Sequence, residues 1–207
     1  MTFVKICGIT DADTLAAAHH ADALGFVVNS PKSHRNLTHA QANALCRKAG
    51  PFQTAVAVTA ERDVEELYKI VRDLRPAALQ VPFRAGQSAF TLLHETFPML
   101  RIIISCRPED AHLVPDIADA LVLDAATLDG YGGTGQRTDW NTAKAARQNA
   151  QVPVILAGGL TPEIVAEAIR IVEPYGVDVS SGVETEMKKD PAKIKAFITN
   201  AKRGEVA

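Results

Sequence analysis

Cysteine is scarce and badly spaced for structural work. Cys7, Cys46 and Cys106 are odd in number and share no close ligand spacing, which argues against both a disulfide framework and a zinc site. Charge of one sign is also missing: a formal net charge of −2 gives no broad attraction for nucleic acid or an anionic membrane. No apolar run approaches the roughly 20 residues of a membrane span. The chain opens on a strand pattern rather than the charged and apolar regions of a signal peptide. Linkers, low-complexity tracts and a second domain are absent as well. These absences predict a cytoplasmic protein acting on a small molecule, with no nucleic-acid or membrane partner, and they leave monomer and homodimer equally open.

What is present is an ordinary globular composition: 207 residues, 47% hydrophobic and 22% charged, enough for a full core. One domain over residues 1–207 is expected, with 203–207 a frayed tail. Apolar runs alternate with helical patterns from end to end. The strand candidates are Phe3 to Cys7, Ala23 to Val28, Thr54 to Val58, Ala77 to Val81, Leu100 to Ser105, Ala120 to Asp124, Val152 to Ala157 and Val177 to Val179. Between them lie stretches such as Asp63 to Leu74, with Val64, Leu67, Ile70, Val71 and Leu74 at helical spacing, and Thr161 to Val172, where Pro162 suits a first turn. Continuous apolar strands suit a parallel sheet covered by helices, and right-handed crossovers close eight such units into an α/β (β/α)8 TIM barrel. A doubly wound open sheet is the alternative, but its phosphate glycines usually follow the first strand, where this chain has Cys7-Gly8-Ile9-Thr10.

Two late segments carry the first chemical signal. Gly158 and Gly159 follow one buried apolar run, and Ser180, Ser181 and Gly182 follow the next. Small residues let bare backbone N–H groups converge on an anion, and the loops after strands seven and eight commonly make the phosphate site of such barrels. These five residues are therefore the expected phosphate site.

Chemistry in a barrel sits where strands end. Cys7 ends the first strand candidate and Asp124 the sixth, a potential base and a potential acid on two sides of one cavity. Strand alternation puts Lys5 and Cys7 on one face and Val4 and Ile6 on the other, so the polar pair faces the interior. Barrel closure sets the eighth strand beside the first, which makes Asp178 the expected partner of Lys5, and an ammonium beside Cys7 favours its thiolate. After Asp124, Gly132, Gly133 and Gly135 give a long segment the freedom of a flap, with Asp139 or Thr138 capping the next helix. Arg35, in the polar stretch Asn29 to Asn36, can grip a carboxylate through two parallel hydrogen bonds, whereas His34 reads as a surface residue. His19, His20, His39, His94 and His112 fall in helical segments without a metal-binding constellation, and Lys188, Lys189, Lys193, Lys195 and Lys202 read as decoration of a solvated last helix.

Assembled, these pieces resemble the phosphoribosylanthranilate isomerase family, barrel enzymes of tryptophan biosynthesis. The matching segments are VKICGIT at 4–10, GFVVNSPKSHR at 25–35, LDAATLDGYGGTGQRTDW at 123–140, AGGLTPE at 157–163 and VDVSSGVE at 177–184. The resemblance implies Cys7 as general base, Asp124 as general acid and Arg35 as the residue that meets the anthranilate carboxylate. It implies a cofactor-free, metal-free Amadori rearrangement of N-(5′-phosphoribosyl)anthranilate to its 1-deoxyribulose 5-phosphate isomer. Two departures stand out: Leu79-Gln80-Val81-Pro82-Phe83 replaces the frequent Leu-His-Gly signature, and Ile102-Ile103-Ile104-Ser105-Cys106 lacks the lysine often found near the end of strand five. The alternatives are an isomerase of another phosphorylated aminoaldose and a phosphate-binding barrel without activity.

Overall fold

The computed structural model describes residues 2–83, 87–125 and 137–203. Eight parallel strands close in sequence order: β1 (Phe3–Cys7), β2 (Ala23–Val27), β3 (Thr54–Val58), β4 (Ala78–Pro82), β5 (Arg101–Cys106), β6 (Ala120–Leu123), β7 (Val154–Leu156) and β8 (Gly176–Val179). Closure runs through β1 and β8, where Lys5 is in register with Asp178. The connecting helices are α1 (Ala12–Ala17), α2 (His39–Cys46), α3 (Val64–Leu74), α4 (Gln87–Thr96), α5 (Trp140–Asn149) and α6 (Val165–Val172), and α7 (Pro191–Arg203) follows the last strand. The expected (β/α)8 barrel is the architecture found, and the open sheet is excluded. Among the described residues, no helix is long and apolar enough to cross a membrane.

Alternation along each strand makes two cores. Val4, Ile6, Leu24, Phe26, Leu79, Ile102 and Ile104 point outward and pack beneath the helices. Val56, Ala78, Ile103, Val122 and Ala157 fill the barrel interior. The helices bind through matching apolar faces: on α3, Leu67, Ile70, Val71 and Leu74 are buried, and Asp63 caps the first turn by accepting from the N–H groups of Glu65 and Glu66.

Several boundaries differ from the sequence pattern for identifiable reasons. β7 spans three residues where six were expected, because Pro153 has no N–H to give the ladder. Its flanks still pair, with Leu121 N–H donating to Pro153 O and Ala157 N–H to Leu123 O. α6 starts at Val165, after a turn through Pro162 that holds no α-helix. Between β5 and β6 only a 3-10 helix forms, Pro108–Leu113, bracketed by Pro108 and Pro115. His19 and His20 lie in the turn after α1, not in a helix, and His112 is in that 3-10 segment. Arg203 closes α7 instead of fraying, while residues 204–207 lie outside the described residues. The flap glycines Gly132, Gly133 and Gly135 also lie outside them.

One element was not anticipated. After β8 and a 3-10 turn (Ser181–Val183), two short antiparallel strands, β9 (Glu184–Thr185) and β10 (Lys188–Lys189), form a hairpin over the barrel rim. Lys188 and Lys189 therefore belong to a strand, not to a solvated helix, and the side chain of Lys189 is only 3% exposed. Lys202, on α7, is tied to Asp22 at 2.6 Å.

Candidate active site

The rim at the carboxyl ends of the strands gathers the polar interior residues. Lys5, buried inside the barrel, donates from Nζ to Asp178 Oδ2 at 2.7 Å. An unpaired ammonium there would cost several kcal/mol in lost hydration, so the carboxylate is its necessary companion. Burial alone would lower the Lys5 pKa, but the charges of Asp178 and then Cys7 outweigh it and raise it. The second Asp178 oxygen has no hydrogen-bond partner among the described residues.

Cys7 sits one pleat above Lys5. Its neighbour across the β1–β2 register is Gly25, where a Cβ would come 2.9 Å from the sulfur; a side chain at that position would take the thiol's space. Burial pushes the Cys7 pKa up, opposed by Lys5, reinforced by Asp178 and opposed again by Lys189. The thiol thus stands among ammonium groups that favour its anion, against a burial that opposes it. Cys46 and Cys106 have no such neighbours among the described residues: burial pushes both up to about 12, with Asp110 and Glu109 adding to the shift at Cys106. Cys106 points outward into the helix-covered core.

Arg35 reaches the same mouth. The loop after β2 is folded back by the Val28–Leu37 bridge and by Ser30 N–H donating to Asn36 Oδ1 at 2.8 Å. The arginine stem then crosses Gly8, whose left-handed φ of 82° and missing side chain are both required, since a Cβ would strike Arg35 Cδ. Arg35 Nε and Nη2 donate to the two oxygens of Glu184 at 2.6 and 2.7 Å. His34 is exposed, as expected, and lies 3.5 Å from the same carboxylate. Glu184 occupies only the Nε–Nη2 edge; the edge formed by Nη1 and the second Nη2 N–H has the fork geometry for another carboxylate.

Burial works against the charge of Glu184, but hydrogen bonds from Arg35 and Lys189 overcome it and hold the carboxyl at about 2. An unfolded glutamate titrates near about 4.3, so this group's contribution, on the order of 3 kcal/mol, is complete above that pH. It is lost as pH falls toward 2. Urea midpoints measured from pH 6 to 2 should therefore fall more steeply for the natural protein than for Glu184→Gln, and parallel curves would refute this pairing energy.

Asp124 is the first residue beyond β6, and its N–H still extends the ladder to Cys106 O at 3.0 Å. β6 lies three strand places from β1 around the ring, and the alternation that points Val122 inward points Asp124 inward too. Asp139 caps α5 by accepting from Thr142 N–H at 2.7 Å. Thr138 does something else. Its hydroxyl accepts from Ala125 N–H at 2.9 Å and its own N–H donates to Gly158 O, which ties the Asp124 loop to the glycine pair.

The two small-residue segments are neighbours. Gly182 packs so closely on the loop after β7 that a Cβ would collide with the carbonyl oxygen of Leu160. Gly158 and Gly159 are both left-handed, with φ of 83° and 66°, and Ser181 and Gly182 open a 3-10 turn whose first N–H groups lack intrahelical partners. Ser180 Oγ donates to Cys7 O at 3.2 Å, so this segment abuts the cysteine as well. On the β4–β5 wall, Pro82 pairs with Ser105, whose hydroxyl donates to Val81 O.

The structure thus brings Cys7, Lys5, Asp178, Arg35 and Ser180 into one continuous set of contacts, with Gly182 joined to the β7 loop. Sequence reasoning missed Glu184 altogether, and it misassigned Lys189 to a solvated helix and offered Thr138 only as a helix cap. Glu184 closes the VDVSSGVE segment without any local sign of a role, and Lys189 is masked by the lysine-rich stretch around it.

A model of the family described as N-(5′-phosphoribosyl)anthranilate (PRA) isomerase matches residues 4–200. A protein of Methanothrix thermoacetophila named N-(5′-phosphoribosyl)anthranilate isomerase is 40% identical over 202 residues, covering 96% of this chain and 97% of that one. The structure of N-(5′-phosphoribosyl)anthranilate isomerase from Pyrococcus furiosus superposes with a TM-score of 0.83 at 30% identity, covering 98% of this chain and 100% of the other. A phosphoribosyl anthranilate isomerase in complex with reduced 1-(o-carboxyphenylamino)-1-deoxyribulose 5-phosphate gives a TM-score of 0.80 at 31% identity, with 98% and 99% coverage.

Proposed function

The chain belongs to the N-(5′-phosphoribosyl)anthranilate isomerase family, and from that premise we propose how its own residues carry the reaction. The enzyme converts N-(5′-phosphoribosyl)anthranilate into 1-(2-carboxyphenylamino)-1-deoxyribulose 5-phosphate, a step of tryptophan biosynthesis. The substrate has an anion at each end and a sugar between them. Gly158, Gly159, Ser180, Ser181 and Gly182 hold the phosphate through backbone N–H groups. Arg35 meets the aryl carboxylate with the edge that Glu184 leaves open.

Asp124 gives a proton to the furanose ring oxygen as the anilino nitrogen's lone pair opens the ring, leaving an iminium ion. The positive nitrogen acidifies the hydrogen on C2′. Cys7, as thiolate, removes it and leaves an enolamine, which tautomerises to the C2′ ketone by losing its hydroxyl proton and gaining one at C1′. This Amadori sequence moves protons only, and no electron leaves the substrate. Positioned acid and base groups are each worth about 10² to 10⁴ in rate.

The observation that supports the assignment is the Arg35 stem lying across Gly8, the residue after Cys7, so that the proposed carboxylate receptor and the proposed base come from adjoining parts of one mouth. It is tested by alkylating Cys7 with iodoacetamide in the presence of reduced 1-(o-carboxyphenylamino)-1-deoxyribulose 5-phosphate. The ligand is expected to protect Cys7 at saturation. Equal modification with and without bound ligand would separate Cys7 from the substrate site.

A further inference from the structure

The hairpin after β8 places two charged side chains under cover at the rim. Glu184 and Lys189 face each other across its register, and their side chains are 7% and 3% exposed. Lys189 Nζ lies 2.8 Å from Glu184 Oε1, donates to Ser180 O at 2.8 Å and reaches Ser180 Oγ at 3.3 Å. Ser180 Oγ in turn donates to the Cys7 carbonyl, and Glu184 grips Arg35. The chain of contacts therefore runs Arg35–Glu184–Lys189–Ser180–Cys7 around one mouth. A hairpin that served only to cover the rim would bury an apolar side chain here, since a buried ammonium sacrifices its hydration.

We propose that Lys189 is a positioning residue for the isomerisation: a second ammonium, beside that of Lys5, that stabilises the Cys7 thiolate when the base is in use. This rests on Cys7 being the base. The charged groups that act on the Cys7 sulfur are Lys5 on β1, Asp178 on β8 and Lys189 on the hairpin; Glu184 joins them through Lys189 and Arg35, from the loop after β2, through Glu184, while the β2 residue in register with Cys7 is Gly25. His34 and Lys193 stand behind Glu184, the first 3.5 Å from its carboxylate and the second donating to its backbone carbonyl. Lys5 is balanced by Asp178, and Arg35 with Lys189 by Glu184, so the second set holds one cation in surplus. The same electrostatics act in both directions: Lys189 draws the Cys7 pKa down against burial, while the Cys7 charge raises that of Lys189, which burial lowers overall.

The test is Lys189→Gln, which keeps a hydrogen-bond donor near Ser180 and removes the charge, with Lys189→Met as the second variant. Cys7 alkylation by iodoacetamide is followed by peptide mass spectrometry across pH, together with kcat and KM for phosphoribosylanthranilate. Both variants are expected to move the alkylation midpoint up by about one pH unit, a tenfold smaller thiolate fraction below it. The acid limb of the kcat profile should move with it while KM changes less than about twofold. An unmoved midpoint in a folded variant overturns the proposal, including when turnover falls, because the loss is then structural. Failure of the parent reading has a different signature: full turnover in Cys7→Ser.

Discussion

Cys7→Ser is expected to lower turnover at least about a hundredfold in a protein that folds normally. The substitution exchanges one atom in a site shaped around it, with Gly25 opposite, Lys5 beneath and Ser180 hydrogen-bonded to the Cys7 carbonyl rather than to its sulfur. None of those contacts depends on the thiol proton. What changes is acidity: burial opposes the anion of either group, but a thiol, with a reference pKa of about 8.5, is a far stronger acid than an aliphatic hydroxyl, and neighbouring ammonium groups act on it from a much lower starting point. Lys5 and Lys189 cannot rescue so weak an acid. Circular dichroism and the thermal midpoint should stay close to those of the natural enzyme while kcat collapses. Near-normal turnover in the folded variant would remove Cys7 from the mechanism.

Asp124→Asn is expected to cost a similar factor, again at least about a hundredfold in kcat, with substrate affinity largely kept. Asparagine preserves the outline of the side chain, and the backbone bond from residue 124 to Cys106 O is indifferent to the change. The loop around it is held independently by Thr138, which bridges Ala125 and Gly158. The amide has no proton to give an opening furanose ring, so the ring oxygen must depart unprotonated, as a poor leaving group. Because phosphate and carboxylate are held elsewhere, KM should respond little. A variant whose KM rises while kcat stays normal would make Asp124 a binding residue instead.

These two residues, and much of the frame beneath them, are legible in the sequence because barrel strands obey a strict period. Phe3 to Cys7 and Thr54 to Val58 are strands residue for residue. The alternation that buries Val4 and Ile6 outward forces Lys5 and Cys7 inward, and closure then supplies Asp178 as the neighbour of Lys5. The partner of Arg35 was not legible. Glu184 lies 149 positions away, on a hairpin whose turn residues, Glu186 and Met187, both adopt left-handed φ without the Asn-Gly or Asp-Gly pair that signals such a turn. With the hairpin hidden, Lys189 looked like one more exposed lysine. Local pattern specifies the barrel; the fine electrostatics of its mouth come from a segment whose conformation is imposed by tertiary contacts.

The most direct test of Cys7 and Asp124 as the acid–base pair is turnover of freshly generated N-(5′-phosphoribosyl)anthranilate, followed by the loss of its fluorescence, with the purified natural protein alongside Cys7→Ser and Asp124→Asn. Rapid loss is expected with the natural protein, and a slowing of at least about a hundredfold with either variant. Substrate that binds the natural protein and persists unchanged, or is consumed equally well by all three, would contradict that assignment.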